Sequence, residues 1–202
     1  GQSVVLGLSV SPTFSKLDAS GSESQGADFG IGYDFGLTAD FFLDGNYRYA
    51  ITSGLIISNI NSSIDYTPNE DTGFGDANLV AGSRVSIDYR LKYLEIPLAF
   101  RLRTRQFNRA TFWGQFGLFA AINVGAKASS SDGQLNKNGI GRDINLFNMG
   151  LNIGIGMEYD MGGQNALGFA IVSKNGFVDV VDGGFGGKTT SNVIALQCSF
   201  IF

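Results

Sequence analysis

The stretch Asp28-Phe29-Gly30-Ile31-Gly32-Tyr33-Asp34-Phe35-Gly36-Leu37-Thr38-Ala39-Asp40-Phe41-Phe42-Leu43 alternates large apolar residues with small or polar ones. Its odd-numbered positions from 29 to 41 are all apolar, whereas the even-numbered positions from 30 to 40 carry glycine, threonine or aspartate. A period of two is typical of a β-strand with one apolar face. The run is far longer than the roughly five or six residues of an ordinary strand, so it predicts a strand long enough to cross a membrane.

The same alternation recurs along the rest of the chain. It predicts seven further strands, near residues 3–15, 47–60, 83–105, 112–124, 151–159, 166–174 and 192–202. Within 83–105 the phase of the apolar residues slips by one between Tyr93 and Leu94. Because a slip of one residue moves every side chain to the other face, we expect a β-bulge there that keeps the apolar set on a single face.

The composition indicates what the apolar face contacts. Apolar residues make up 44% of the 202 residues and charged residues only 16%, against about 25% charged in a soluble domain. No apolar run approaches the roughly 18 residues that a spanning helix needs, and a closed barrel is the only other structure that satisfies its backbone in hydrocarbon. The sequence therefore predicts one domain over residues 1–202, an all-β, closed, antiparallel, up-and-down transmembrane β-barrel of about eight strands.

The connections alternate between short and long. The turns at residues 44–46, 106–109 and 162–165 are short and rich in Gly, Asn and Asp, whereas the links at 16–27, 61–82, 128–143 and 175–191 are long and polar. Outer-membrane barrels have short periplasmic turns and long outer loops. We therefore expect an integral protein of the bacterial outer membrane with both its N- and C-termini in the periplasm.

The polar face distinguishes a membrane barrel from a soluble, lipocalin-like one. A soluble barrel would carry many Lys and Glu residues there, but this face has mainly small polar residues and a few charges of both signs. In a barrel of about eight strands such charges fill the interior and must be paired. We predict a closed, non-conducting lumen with a charge network of Asp34, Asp40, Arg48, Asp88, Arg90, Glu95, Arg101, Arg103 and Glu158.

Aromatic residues are concentrated beside the short turns. Aromatic side chains favour the membrane interface, so we predict a periplasmic girdle of Phe41, Tyr47, Tyr49, Phe112, Tyr159, Phe200 and Phe202. Phe42, Phe107 and Trp113 flank the same turns and are interpreted in the same way.

Several segments resemble a known family. The alternating ending Asn192–Phe202 is similar to the C-terminal signature of outer-membrane proteins handled by the barrel-assembly machinery. The segment Leu91-Lys92-Tyr93-Leu94-Glu95-Ile96-Pro97-Leu98 resembles the central motif of the PorT-like outer-membrane barrels of Bacteroidota, and Gly117-Leu118 and Gly154–Tyr159 fit that family's later strands. The resemblance implies a small OmpA/OmpX-like barrel. Some members of the family resemble components linked to type IX secretion, and others have no assigned role.

The sequence lacks most catalytic chemistry. It contains no histidine, which removes the usual general base and metal ligand, so we predict no enzyme activity, no cofactor and no metal site. The acidic segment from Asp65 to Asp76 lacks the ligand spacing of a calcium loop and is interpreted as a solvated loop. Cys198 is interpreted as an apolar, chemically inert position. A net charge of −4 without a basic cluster argues against nucleic acid as a partner.

Three functions remain open from the sequence. The first is a structural or accessory subunit of an envelope complex, and a complex for secretion or assembly is one form of this function. The others are a small-solute porin and a surface adhesin that binds through its long loops. The expected partners are outer-membrane lipid, lipopolysaccharide and envelope proteins.

Overall fold

The computed structural model describes residues 3–19, 24–66, 72–74, 77–79, 85–130, 138–139, 147–177 and 189–202. Among these residues, no helix is long and apolar enough to cross a membrane. The strands are β1 (Val4–Ala19), β2 (Ser24–Phe42), β3 (Tyr49–Tyr66), β4 (Thr72–Phe74), β5 (Ala77–Leu79), β6 (Val85–Arg103), β7 (Ala110–Ser130), β8 (Asn138–Gly139), β9 (Phe147–Gly162), β10 (Asn165–Gly176) and β11 (Thr189–Ile201).

Eight long strands form a closed antiparallel barrel. The hydrogen-bonded order is β6-β3-β2-β1-β11-β10-β9-β7, and the additional pairing of β6 with β7 closes the circle. The first and last strands are neighbours, with Gly7 opposite Ile201. The predicted all-β, up-and-down barrel is confirmed. The strands run further than predicted into the long connections, for example to Ala19 in β1 and from Ser24 in β2.

Three short turns connect strands at one end of the barrel, which we call the turn end; the opposite end is the far end. Backbone conformations favoured by glycine and asparagine occur at Asn108, with φ of 55°, and at Gly162 and Gly163, with φ of 98° and 72°. In the β2–β3 turn this conformation falls on Tyr47, with φ of 56°, rather than on Gly45 or Asn46.

A carboxylate holds the β2–β3 turn together. The Asp44 Oδ1 atom accepts hydrogen bonds from the backbone N–H groups of Arg48 at 2.9 Å and Tyr49 at 3.0 Å. Desolvation opposes the ionised form, but the N–H donors of Tyr49 and Arg48 outweigh it, so the pKa of Asp44 lies below its ordinary value of 3.8. The turn therefore favours an ionised aspartate.

Alternation along the strands gives the wall two different faces. Apolar side chains point outward and are exposed on every long strand, including Leu8, Phe35, Leu98 and Ile155. Small and polar side chains at the intervening positions point into the lumen, among them Ser9, Asp34, Thr52 and Asn152. Because so large an apolar surface is stable only against hydrocarbon, the outer face is the membrane-facing surface.

The predicted bulge is present as a register shift, but it lies on the neighbouring strand. Lys92 pairs with Gly125 and Tyr93 with Asn123, so Val124 of β7 is the extra residue. Alternation in β6 is uninterrupted, and Leu91 and Tyr93 are buried in the lumen, at 2% and 1% exposure. The expectation that the apolar residues on both sides of the slip share one face is therefore wrong, because the apolar side chains nearer the far end fill the barrel interior instead.

Candidate functional site: the lumen

The lumen is the region where the structure concentrates buried charge. Inward positions of β2, β6, β9 and β10 bring together four carboxylates and three cations, all buried or half-buried. They form two groups at different heights. The turn-end cluster contains Asp40, Arg101, Arg103 and Glu158, and the middle cluster contains Asp34, Glu95 and Lys174.

Arg101 is the central residue of the turn-end cluster. Its Nη1 atom lies 2.7 Å from Asp40 Oδ2, and its Nε and Nη2 atoms donate to Gln115 Oε1 at 3.2 and 2.7 Å. Thr52 donates to the second oxygen of Asp40 at 2.6 Å, and Gln115 Nε2 donates to Asn152 Oδ1 at 2.8 Å. The guanidinium and its carboxylate are thus paired and also hydrogen-bonded by neutral groups, as buried ion pairs require.

Arg103 forms the second ion pair of this cluster. Its Nη2 atom contacts Glu158. Aromatic rings cover both guanidinium groups: Arg101 lies 3.9 Å from the centroid of the Trp113 ring, and Arg103 lies 5.0 Å from that of Phe42. Phe42 and Trp113 are buried, so the expectation that they belong to the membrane-interface girdle is wrong. Phe42 faces inward because the even-numbered positions of β2 point into the lumen. Trp113 faces inward because the odd-numbered positions of β7 do so.

The middle cluster has one cation between two carboxylates. Lys174 Nζ lies 2.5 Å from Asp34 Oδ2 and 3.0 Å from Glu95 Oε2, and Ser58 donates to Asp34 Oδ1 at 2.6 Å. Lys174 was missing from the predicted network. The residues Leu167, Phe169 and Ile171 of β10 point outward, so the even-numbered positions of this strand point inward. The same alternation continued to position 174 predicts that Lys174 points into the lumen.

Three predicted members of the charge network lie elsewhere. Asp88 and Arg90 are exposed on the outer face of β6, so their assignment to the lumen is wrong. Leu91, the apolar neighbour of Arg90, is buried in the lumen, so the expected faces are reversed at this position. Arg48 is half-buried in the turn before β3, where its backbone N–H donates a hydrogen bond to Asp44 Oδ1. The structure brings the other six residues of the predicted network into the two clusters.

An apolar layer occupies the lumen on the far-end side of the middle cluster. Its side chains come from four strands and are all buried: Ile60, Leu91, Tyr93, Phe119, Ala121 and Val193. The cavities left in the described part of the lumen are small, at about 20 Å³ in the turn-end cluster, about 40 Å³ beside the middle cluster and about 10 Å³ at the apolar layer. A water molecule needs at least roughly 10–15 Å³ of such volume, so these cavities have room for only a few waters.

A larger apolar depression of about 810 Å³ lies against the outer wall. Outward side chains such as Phe112, Ile155 and Ile171 line it, and Gly114 leaves a gap between them. Arg103 of the turn-end cluster is the one charged residue among those that line it.

All seven residues predicted to form the aromatic girdle are exposed on the outer face or in the turns, from 38% for Phe200 to 51% for Phe112. Tyr49 stacks on Phe100 with ring centroids 6.3 Å apart, and Phe200 on Phe202 at the same distance. These rings lie toward the turn end of the barrel.

The residues of the acidic segment at positions 67–71, 75 and 76 are outside the described residues.

A closed barrel with an apolar outer wall and polar groups in its interior is typical of the class of transmembrane β-barrels. The family model described as "Outer membrane protein beta-barrel domain" matches residues 1–182, and the chain belongs to this family. It is an integral protein of the outer membrane. None of the curated proteins matches the chain by sequence.

Solved structures of several outer-membrane proteins are similar to this chain. Neisserial surface protein A is 11% identical, with 98% of this chain and 97% of that chain covered and a TM-score of 0.50. OprG from Pseudomonas aeruginosa is 14% identical, with coverage of 97% and 95% and a TM-score of 0.49. The attachment invasion locus protein Ail of Yersinia pestis is 13% identical, with 98% of each chain covered and a TM-score of 0.42. At 11% identity, the likeness to Neisserial surface protein A concerns the fold alone.

Proposed function

We propose that this protein is a closed, non-conducting barrel that serves as a structural or accessory subunit of an envelope complex, within the PorT-like group. The observation that carries the proposal is the occupied lumen. Two ionic clusters and an apolar layer follow one another along the axis, and the cavities beside them have volumes of about 10 to 40 Å³. An ion or solute could cross only if these groups separated.

Separation of the clusters would be costly. Lys174 Nζ lies within 3.0 Å of an oxygen of each of its two carboxylate partners, and removing one partner from a buried pair costs about 3–5 kcal/mol. The clusters therefore favour a permanently filled barrel over one that opens to pass solutes. A barrel whose described lumen residues fill its interior, in a chain without histidine, has its wall and its ends available for contacts, which supports a non-enzymatic role in an assembly.

Two experiments test this role. Planar-bilayer recording of the purified protein, with a pore-forming barrel as positive control, should give no conductance steps. Affinity purification of the tagged protein from native membranes in mild detergent should recover stable envelope partners. Reproducible conductance steps would favour the porin alternative, and a protein that migrates alone in every mild detergent would overturn the accessory role.

The proposal includes an orientation with the turn end and both termini in the periplasm. The three short turns lie at that end, as in outer-membrane barrels generally. Gly45 is exposed in open space in the β2–β3 turn, so a Gly45→Cys, Cys198→Ser variant carries a single accessible thiol. A membrane-impermeant maleimide should label it only after the outer membrane is permeabilised, and labelling on intact cells would reverse the orientation.

A further inference from the structure

Two cations on the outer face of β6 are not part of either lumen cluster. Arg90 and Lys92 are both exposed, and within the described residues neither forms an ion pair. They alternate with inward residues and so point to the same side of the strand, about 7 Å apart by strand geometry. Their positive charge is directed away from the barrel.

These cations lie where the apolar surface ends. From the turn end, the outward residues of β6 are apolar without interruption, and Lys92 and Arg90 come next. The apolar run is Leu102, Phe100, Leu98, Ile96 and Leu94. An outer-membrane barrel has an apolar band about 25 Å tall, and five alternate residues on a tilted strand cover most of that height. Lys92 and Arg90 therefore lie at the level of the lipid headgroups.

The neighbouring strand changes character at the same level. Ile57 of β3 pairs with Leu94, whereas Asn59 pairs with Lys92 and Asn61 with Arg90. The amides of Asn59 and Asn61 donate to backbone carbonyls of β2, at 3.5 and 2.5 Å. One N–H of each amide is thus used within the wall, and Arg90 and Lys92 carry the positive charge that an external anion would meet.

The strand on the other side leaves space next to Lys92. Its partner Gly125 has no side chain and is exposed, and it lies at the Val124 bulge of β7. A Cβ atom built on Gly125 would come within 3.8 Å of the Lys92 Cβ atom, so this position is directly beside the lysine stem. The missing side chain creates a notch through which a headgroup can approach the ammonium.

We propose that Arg90 and Lys92 bind a phosphate group of an anionic lipid in the leaflet at the far end of the barrel. Charge complementarity and height in the bilayer both favour this ligand, because each cation near an anionic membrane surface contributes measurable attraction and Arg recognises phosphate oxygens through several donors. Asp88 is the next outward residue and is exposed, and its carboxylate weakens the site. The inference rests on the proposed orientation only for the leaflet that supplies the lipid.

The test uses purified protein in detergent and native mass spectrometry with a defined probe, diphosphorylated lipid A. The R90A/K92A variant should bind it about 30-fold more weakly than wild type, from two cations each worth about a factor of five. The matched control, R105A/R109A, removes two exposed arginines from the β6–β7 turn at the other end and should bind normally. D88N should bind a few-fold more tightly.

Other probes identify which part of the ligand is recognised. Dephosphorylated lipid A should bind no better to wild type than to R90A/K92A, and free pyrophosphate should not compete at equal concentration. Equal losses in both double variants, equal binding of the dephosphorylated lipid, or efficient competition by pyrophosphate would each overturn the proposal. Unchanged heat-modifiable gel mobility verifies that the variants are folded. Because no envelope partner is present, this test can succeed or fail independently of the accessory role.

Discussion

The two ends of strand β6 have opposite inside–outside arrangements. Toward the turn end, Leu98 and Phe100 point outward while Glu95 and Arg101 are buried in the lumen. Toward the far end, Leu91 is buried inside while Arg90 and Lys92 are exposed outside. The alternation of inward and outward side chains keeps the same phase along the described part of β6, whereas the outward residues change from apolar to charged. A single strand thus follows the rule of a membrane protein in one half and of a soluble protein in the other.

The largest effect is expected from breaking the polar interior. Lys174→Met leaves Asp34 and Glu95 buried without their cation, and we expect a loss of about 3–5 kcal/mol in the free energy of unfolding. Urea titration of the barrel refolded into lipid vesicles measures this loss. The control is the neutral set K174M/D34N/E95Q, which should recover most of the stability. A K174M variant as stable as wild type would show that the middle cluster does not hold the lumen together.

A smaller effect should distinguish the apolar interior from the apolar exterior. Leu91→Ala opens a cavity in the packed layer and should cost about 3 kcal/mol. Leu98→Ala removes the same atoms from the outer face, where lipid chains fill the space, and should cost only the transfer free energy, about 2 kcal/mol. Both are measured by the same urea titration. Equal losses, or a larger loss for L98A, would contradict a packed layer at the far end.

The smallest effect concerns the turn end and depends on pH. The pKa of Asp44 lies below its ordinary value of 3.8 in the folded protein. The contribution of Asp44 to the stability of the fold is therefore complete above pH 3.8 and is lost as the pH falls through the lower pKa of the folded state. Asp44→Asn should lower the urea midpoint slightly at neutral pH, and the difference from wild type should vanish in strong acid. A difference that grows on acidification would contradict the carboxylate cap.

Sequence reasoning was sufficient where a strand keeps its apolar residues on the outer face. The alternation of Phe29 to Phe41 predicted both the existence of β2 and the inward direction of Asp34 and Asp40. The turn residues located all three short turns. These features depend on local backbone chemistry and on a period of two, both of which are visible in a single chain.

The sequence predictions were wrong where the position of a bulge depends on the neighbouring strand, or where the direction of a side chain depends on its height in the membrane. A register shift belongs to a pair of strands, so the apolar pattern of β6 could not reveal that the extra residue is Val124 of β7. The prediction for Asp88 and Arg90 is wrong because it requires apolar residues to face lipid along the entire strand. The apolar positions that predict the strand at 166–174, which is β10, do not by themselves identify Lys174 as an inward charge.

The pairing of β1 with β11 has a consequence for how the barrel is made. Ser9 lies opposite Ser199, and Phe14 opposite Ile194, so the seam joins residues separated by nearly the whole chain. Bringing such distant segments together carries a loop-closure entropy that no local contact offsets, and topologies of this kind fold slowly. Until the last strand arrives, both edges of the sheet expose unpaired N–H and C=O groups. The nascent chain therefore needs protection during export, and insertion and closure become one cooperative event.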